Sequence, residues 1–318
     1  MAGYLDSASL VDTIKRKAMI PENQSTFQTA DFLAFATEEM HTSIVPHVMS
    51  MHEEYFVFVE TVALVASKSR YAIPYRAMGN KLRDVFYQDT QGNLIEMTRI
   101  SPDDKSLFQD TTVGNQFVFY YLEGGNIVIT PAVGSSVSGS LIMTYFMRPS
   151  DLVESSRIGV ITAISTGVST TTYTVNAVPT GFSTTSKLDL LQAKPGHKIR
   201  KIDIYPTSVN TTNKTITFNT SDIDSDTEIG DHIAFAGECM IPQIPSDLHP
   251  MLAQRVAARC LEALGDTQGL TNANAKIQEM EQKSAFIIDN RVQGSNQKVV
   301  NRRGLLQSSR IRKRRGWL

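Results

Sequence analysis

IPQIPSDLHPMLAQRVAARCLEALGD, residues 241–266, is the segment from which the rest of the chain can be placed. Within it Leu248, Leu252, Val256, Cys260 and Leu264 recur every four residues, with Ala253, Ala257 and Ala263 beside them. Gln254, Arg255, Arg259 and Glu262 fall on the other side. This is the pattern of an amphipathic helix with one stripe turned to a core, so those five spaced residues are the expected core of a helix bundle. Ser246 or Asp247 is the expected cap, and Pro250 sits in the first turn, where a missing N–H costs little. Gly265 is the expected stop. A second helix is expected over residues 271–290, with Ala273, Ile277, Met280, Ile287 and Ile288 on one side and Ser284 weakening the stripe.

After Asp289 the chain has no Asp or Glu, but it has nine basic residues: Arg291, Lys298, Arg302, Arg303, Arg310, Arg312, Lys313, Arg314 and Arg315. The net charge of −1 therefore hides a split. Residues 1–290 carry 22 basic against 32 acidic residues, a net −10, and the tail is +9. Such asymmetry between segments is an interaction signal, and it favours assembly over small-molecule catalysis. Low apolar content predicts that residues 291–318 have no fold of their own. The tail can dock on an acidic protein surface or on DNA. Leu305, Leu306, Ile311, Trp317 and Leu318 interleave apolar anchors with the charges, which favours a protein groove, because Arg and Trp are the usual buried anchors of interfaces. Those five and the nine basic residues are the candidate docking residues.

The 318 residues, 41% hydrophobic and 20% charged, suit two domains or one with an insertion. The expected class is α+β: terminal helices forming a bundle, an antiparallel sheet between them, an inserted small all-β sandwich or barrel, and an extended basic tail. Residues 1–54 read as helices (5–19, then a broad apolar face from Thr29 that Pro46 kinks or divides). Residues 55–152 read as antiparallel β with a short helix from Ser101, including a hairpin turned at Gly92 and another at Gly124-Gly125. Residues 153–240 are rich in Thr, Ser, Ile and Val, and their short strand-like runs form the inserted unit. Residues 241–290 are the C-terminal helix pair, and 291–318 the tail. No signal peptide opens the chain, no apolar run reaches a membrane span, and Cys239 and Cys260 read as small buried side chains in a reducing compartment.

No catalytic constellation stands out. His41, His47 and His52 precede Glu53 and Glu54 but miss the His-Glu-x-x-His spacing of a metal helix, and read as solvated or interface residues. His249 reads as a helix-start residue. Asp222, Asp224, Asp226 and Glu228 lack the mid-loop glycine and twelfth-position Glu of a calcium loop, and read as a solvated acidic turn. Gly79-Asn80-Lys81 lacks the spacing of a phosphate loop. No catalytic residue, metal or cofactor is assigned, and no enzyme activity is expected.

Five collinear stretches nevertheless carry a resemblance. FLAFATEEMHTSIVPHVMSMHEEYF (32–56), YAIPYRAMGNKLRDV (71–85), SPDDKSLFQ (101–109), GDHIAFAGE (230–238) and the segment quoted first together resemble head-to-tail adaptor proteins of tailed bacteriophages. These connector or neck proteins belong to the short-tailed phage type. Simpler adaptors lack a domain at 157–240, so the likeness is one of overall pattern. It implies a structural virion protein in the neck, made in the bacterial host cytoplasm, forming a homo-oligomeric ring, usually a dodecamer. Such a ring docks below the portal, extends the DNA channel for genome packaging and supports tail or nozzle proteins. Double-stranded DNA passes through without sequence-specific binding, and no membrane is involved. Helices 246–290 would lie against the portal, with 291–318 extending along it. Two readings from other classes remain: a DNA-binding packaging protein using the basic tail, and a tail-associated hydrolase, which needs a carboxylate pair that no residue pattern singles out.

Overall fold

The computed structural model describes residues 5–21, 26–107, 119–130, 138–193 and 199–287. Helices from the two ends of the chain meet in one core. α1 (Ser7–Lys17) starts where the Asp6 carboxylate accepts the Ser9 N–H at 2.8 Å. α2 (Thr29–Glu39) starts where Asp31 reaches back to the Gln28 N–H at 2.7 Å. The chain then widens into a π turn, Met40–Ile44, before α3 (Val45–Met51). Pro46 causes this: it has no N–H for the preceding turn, so the ladder shifts register there instead of breaking. Phe32, Leu33, Ala36, Met40, Ile44, Val45 and Val48 are all buried.

A tight turn at Ser246–Leu248 leads into α4 (His249–Leu264), and the expected side-chain cap from Ser246 or Asp247 is not made. Gly265, at φ +75°, ends α4, and the Asp266 N–H closes back on the Leu261 carbonyl at 3.0 Å. α5 (Thr267–Ile287) begins four residues earlier than its apolar pattern, because Asp266 caps it by accepting the Gly269 N–H at 2.9 Å. Leu248, Leu252, Val256 and Cys260 lie in the shared core with α1 and α2. Leu264 does not: at the helix end it is 50% exposed, which corrects its place in the stripe. Arg255 and Arg259 also depart from expectation, since the carboxylates of Glu38 and Glu39 on α2 and, for Arg255, Glu281 on α5 engage them and leave both half-buried.

His249 ties this core to the start of the chain. Its Nδ1 accepts the Leu5 N–H at 3.1 Å, and because that donor cannot accept, Nε2 carries the proton toward the Pro242 carbonyl at 3.2 Å. Burial holds its pKa at about 4, below the ordinary 6.5, so the folded chain keeps it neutral. As pH falls, the unfolded chain takes up this proton first. The contribution is full above 6.5 and is lost between 6.5 and 4, by ~3 kcal/mol. Urea unfolding at a series of pH values is expected to show a shallower acid slope for His249→Gln than for the native chain; equal slopes would remove His249 as a cause.

Between the helices lie two four-stranded sheets. Their strands are β1 (Val57–Ala63), β2 (Arg70–Ala72), β3 (Ala77–Gln88), β4 (Leu94–Glu96), β5 (Thr98–Arg99), β6 (Phe119–Glu123), β7 (Asn126–Thr130) and β8 (Ser140–Met147). One sheet runs β1-β8-β3-β4 and the other β2-β7-β6-β5. Pairing is antiparallel apart from β5 with β6, which is parallel and departs from the expected pattern. Alternate residues from both sheets, among them Tyr71, Val85, Tyr87, Ile127, Leu141, Met143 and Tyr145, share one core, so the sheets are packed face to face. Both predicted turns are present, with Gly92 and Gly124 at positive φ. The expected helix at Ser101 is the tighter kind with three residues per turn, Pro102–Leu107. Gly79 and Asn80, both left-handed, form a bulge where β3 slips register against β8.

β9 (Asp151–Leu152) leads into the inserted unit, which comprises β10 (Gly159–Thr166), β11 (Thr170–Val175), β12 (Leu188–Leu191), β13 (Ile199–Ile204), β14 (Ser208–Asn210), β15 (Thr215–Asn219) and β16 (His232–Phe235). β17 (Glu238–Cys239) leads out and pairs in parallel with β9, so both crossings lie side by side. The seven strands form one antiparallel sheet, ordered β13-β12-β16-β10-β11-β15-β14. A bulge at Ile161/Ala163 bends β10 between its two partners. The sheet coils until residues of both halves, such as Tyr173, Phe218, Leu188 and Ile233, share a core. The edge strands β13 and β14 are consecutive in sequence, joined by three residues, yet do not pair. This is a coiled open sheet and not a closed barrel. Among the described residues no helix is long and apolar enough to cross a membrane.

Candidate functional site

The docking residues Arg291, Lys298, Arg302, Arg303, Leu305, Leu306, Arg310, Ile311, Arg312, Lys313, Arg314, Arg315, Trp317 and Leu318 lie outside the described residues. What can be placed is the helix that carries them. α5 lies antiparallel to α4 across a two-residue connection, burying Ala273 and Ile277. Ser284 is buried as well, because its hydroxyl meets His47 Nε2 at 2.9 Å and bonds the Glu281 carbonyl at 2.8 Å. The break in the apolar stripe and the histidine of α3 thus explain each other.

An ion-pair network locks the same helices. Arg259 reaches Glu38 at 2.6 Å and Glu39 at 2.7 Å, while Arg255 pairs with Glu39 at 3.4 Å and with Glu281. It joins α2, α4 and α5, so the tail leaves a braced support. Its shared carboxylate, Glu39, is buried, which makes the network less screened than a surface pair. On the outside of α5, Glu279 takes Lys276 at 2.7 Å and also Lys283; these bonds hold its carboxyl down to about 2.

A second polar centre sits where the inserted unit meets the two sheets. Asp189 on β12 is 0% exposed and accepts from Arg76 Nη2 at 2.5 Å, the Gly237 N–H at 2.9 Å and the Asp203 N–H at 3.1 Å. Arg76, 5% exposed, follows β2. Burial works against both charges. Asp189 and Tyr75 outweigh that for Arg76, whose pKa is raised, while burial pushes the Asp189 carboxyl up against the pull of Arg76 and the two N–H groups. Tyr75 adds a second link, donating to Asp203 at 2.9 Å, and Lys187 reaches the other oxygen of Asp203 at 3.4 Å. Asp203 takes a left-handed φ of +54° to make these contacts. A cleft of about 380 Å³ beside the pair is lined by His41, Arg148 and Ser150 among others.

The other sequence candidates resolve separately. His41 faces Asp151 at 4.0 Å, His47 faces Ser284, and His52 lies edge-on to Tyr55, so the three do not converge. Among the described residues no group of three His, Cys, Asp or Glu could hold a metal. The acidic turn is not simply solvated: Arg200 pairs with buried Asp231 at 2.7 Å and with Asp224 at 3.7 Å. Burial pushes the Cys239 thiol up to about 12 and that of Cys260 to about 11, so neither is a nucleophile at neutral pH. No protein-family model matches this chain, and no curated protein matches it either.

Proposed function

We propose that this chain is a structural subunit of a phage neck: a head-to-tail adaptor that joins copies of itself in a ring, docks below the portal, extends the DNA channel and supports the tail. The observation that carries this reading is the division of charge along the helical unit. A body of net −10 builds its helices from both ends into one core, and the last of them, α5, leads to nine basic residues without an acid. Anchors of this kind, basic with interleaved Leu and Trp, suit a protein groove. An acidic body suits a channel through which DNA must slide without sticking, because like charge repels the duplex. The proposed ring needs two different faces per subunit, each complementary to the other, so that copies join head to tail. β1 supports this, since among the described residues it is an edge strand paired only with β8 and leaves Val59 53% exposed.

Electron microscopy of portal rings mixed with excess protein tests the reading. The expected image is a second ring stacked coaxially on the portal, with an open channel. Portals that stay bare, while the protein coats duplex DNA and detaches as salt rises, would support the packaging-protein reading instead.

A further inference from the structure

A groove of about 660 Å³ runs between α2 and the β9 crossing. Its floor is apolar, with Ala30, Ala34 and Val153 facing it, and its rim carries Glu38, Asp151, Glu154 and Glu238. The one cation in its lining, Arg157, is already engaged by both oxygens of Glu238, at 3.0 and 2.5 Å. Glu38 is likewise paired, with Arg259. Asp151 and Glu154 make no ion pair with Lys or Arg among the described residues. The lining therefore sums to four carboxylates against one guanidinium around an apolar floor.

That is the complement of residues 305–318, which hold Arg310, Arg312, Lys313, Arg314 and Arg315, no acid, and the apolar side chains Leu305, Leu306, Ile311, Trp317 and Leu318. We infer that, in the unassembled subunit, this groove holds the chain's own basic tail. The inference rests on reading the tail as the portal anchor and adds where that anchor is kept beforehand. Reach permits it. The Ser284–His47 contact places the last turn of α5 beside α3. From there to the start of α2 the two helices and the turn between them measure about 35 Å at 1.5 Å per residue. Residues 288–304 extend to about 55 Å at 3.3 Å per residue. The chemistry also gives a reason. A free run of nine cations binds any nucleic acid non-specifically, and an acidic groove on the same molecule outcompetes that binding by its high local concentration.

Trp317 is the only tryptophan of the chain, so its emission reports on the tail alone. In the full-length protein its emission is expected to be blue-shifted and shielded from acrylamide relative to a synthetic peptide of residues 305–318. The rim variant Asp151→Lys/Glu154→Lys and, separately, the floor variant Ala34→Arg shift the emission to that of the peptide. They also raise the quenching constant several-fold and tighten duplex DNA binding at low salt, with unchanged circular dichroism. Trp317 as accessible in the native chain as in the peptide, or shielding that neither variant removes, overturns the inference. Shielding that grows with protein concentration also overturns it, because it places the tail on a second copy. Portal joining by the groove variants is read separately. If the native chain and the groove variants alike fail to join portal, the anchor reading fails while the groove result stands.

Discussion

Removing residues 291–318 is expected to abolish joining to portal rings while leaving the rest of the chain folded. The two halves of this expectation have different grounds. The helical core is complete without the tail: α4 is buried from both sides, α5 is held by Ala273, Ile277 and Ser284, and the Arg255–Arg259 network closes on Glu38, Glu39 and Glu281. On the proposed reading the tail supplies the anchors, and Trp and Arg at the centre of an interface are each worth ~2 kcal/mol or more on truncation. Losing several together costs at least about 100-fold in affinity, since each 1.4 kcal/mol is a factor of ten. Pull-down with portal rings, beside circular dichroism of the truncated chain, measures both. Trp317→Ala alone should weaken joining at any ionic strength, whereas neutralising Arg314 and Arg315 should matter most at low salt. Undiminished joining by the folded, truncated chain would remove the tail from the mechanism.

What could be read from the sequence followed the range of the interactions responsible. Local signals located the core side of α4, the irregularity ahead of Pro46 and the turns at Gly92 and Gly124, because each depends on residues within a few positions. Where the sequence reading was off, the controlling partner was distant or easily overlooked. α5 starts at Thr267 and not at the expected Thr271, since the capping carboxylate of Asp266 outweighs the stripe. Arg255 and Arg259 read as solvent-facing until α2 and α5 bring their carboxylates beside them. Leu188-Asp189-Leu190-Leu191, the strand β12, holds a clue of this kind: one acid in an otherwise apolar strand needs a cation, and the adjacent Lys187 turns to Asp203 instead. The partner, Arg76, lies 113 residues earlier, and no local pattern distinguishes it from the other arginines. The tail's charge was plain in the sequence because it requires no fold; the groove that complements it appears only once α2 and β9 are packed together.

The buried Arg76–Asp189 pair leads to the second large effect. Arg76→Met should destabilise the protein by ~3–5 kcal/mol, because it leaves a carboxylate uncompensated in a fully buried place. Asp189→Asn should cost less, since the amide oxygen can still accept one N–H. The double variant Arg76→Met/Asp189→Leu should recover much of the loss, as an apolar pair has no charge to strand, and that recovery separates a buried ion pair from mere packing. Urea unfolding followed by far-ultraviolet circular dichroism gives the magnitudes, and amide exchange gives the location. The Gly237 and Asp203 amides, which donate to Asp189, should lose protection in Arg76→Met ahead of the α4 core. Arg76→Met within 1 kcal/mol of native, with both amides still protected, would show that the pair does not hold the inserted unit. Arg76 belongs to the sheets and Asp189 to the inserted unit, while Gly237 lies at the outgoing crossing, so this carboxylate fixes how the insert is carried on the body. If the subunits form the proposed ring, loosening that one joint in every subunit should cost closure before it costs portal binding. On the proposed reading Arg76→Met is therefore expected to give incomplete rings at temperatures where the native chain is expected to close them.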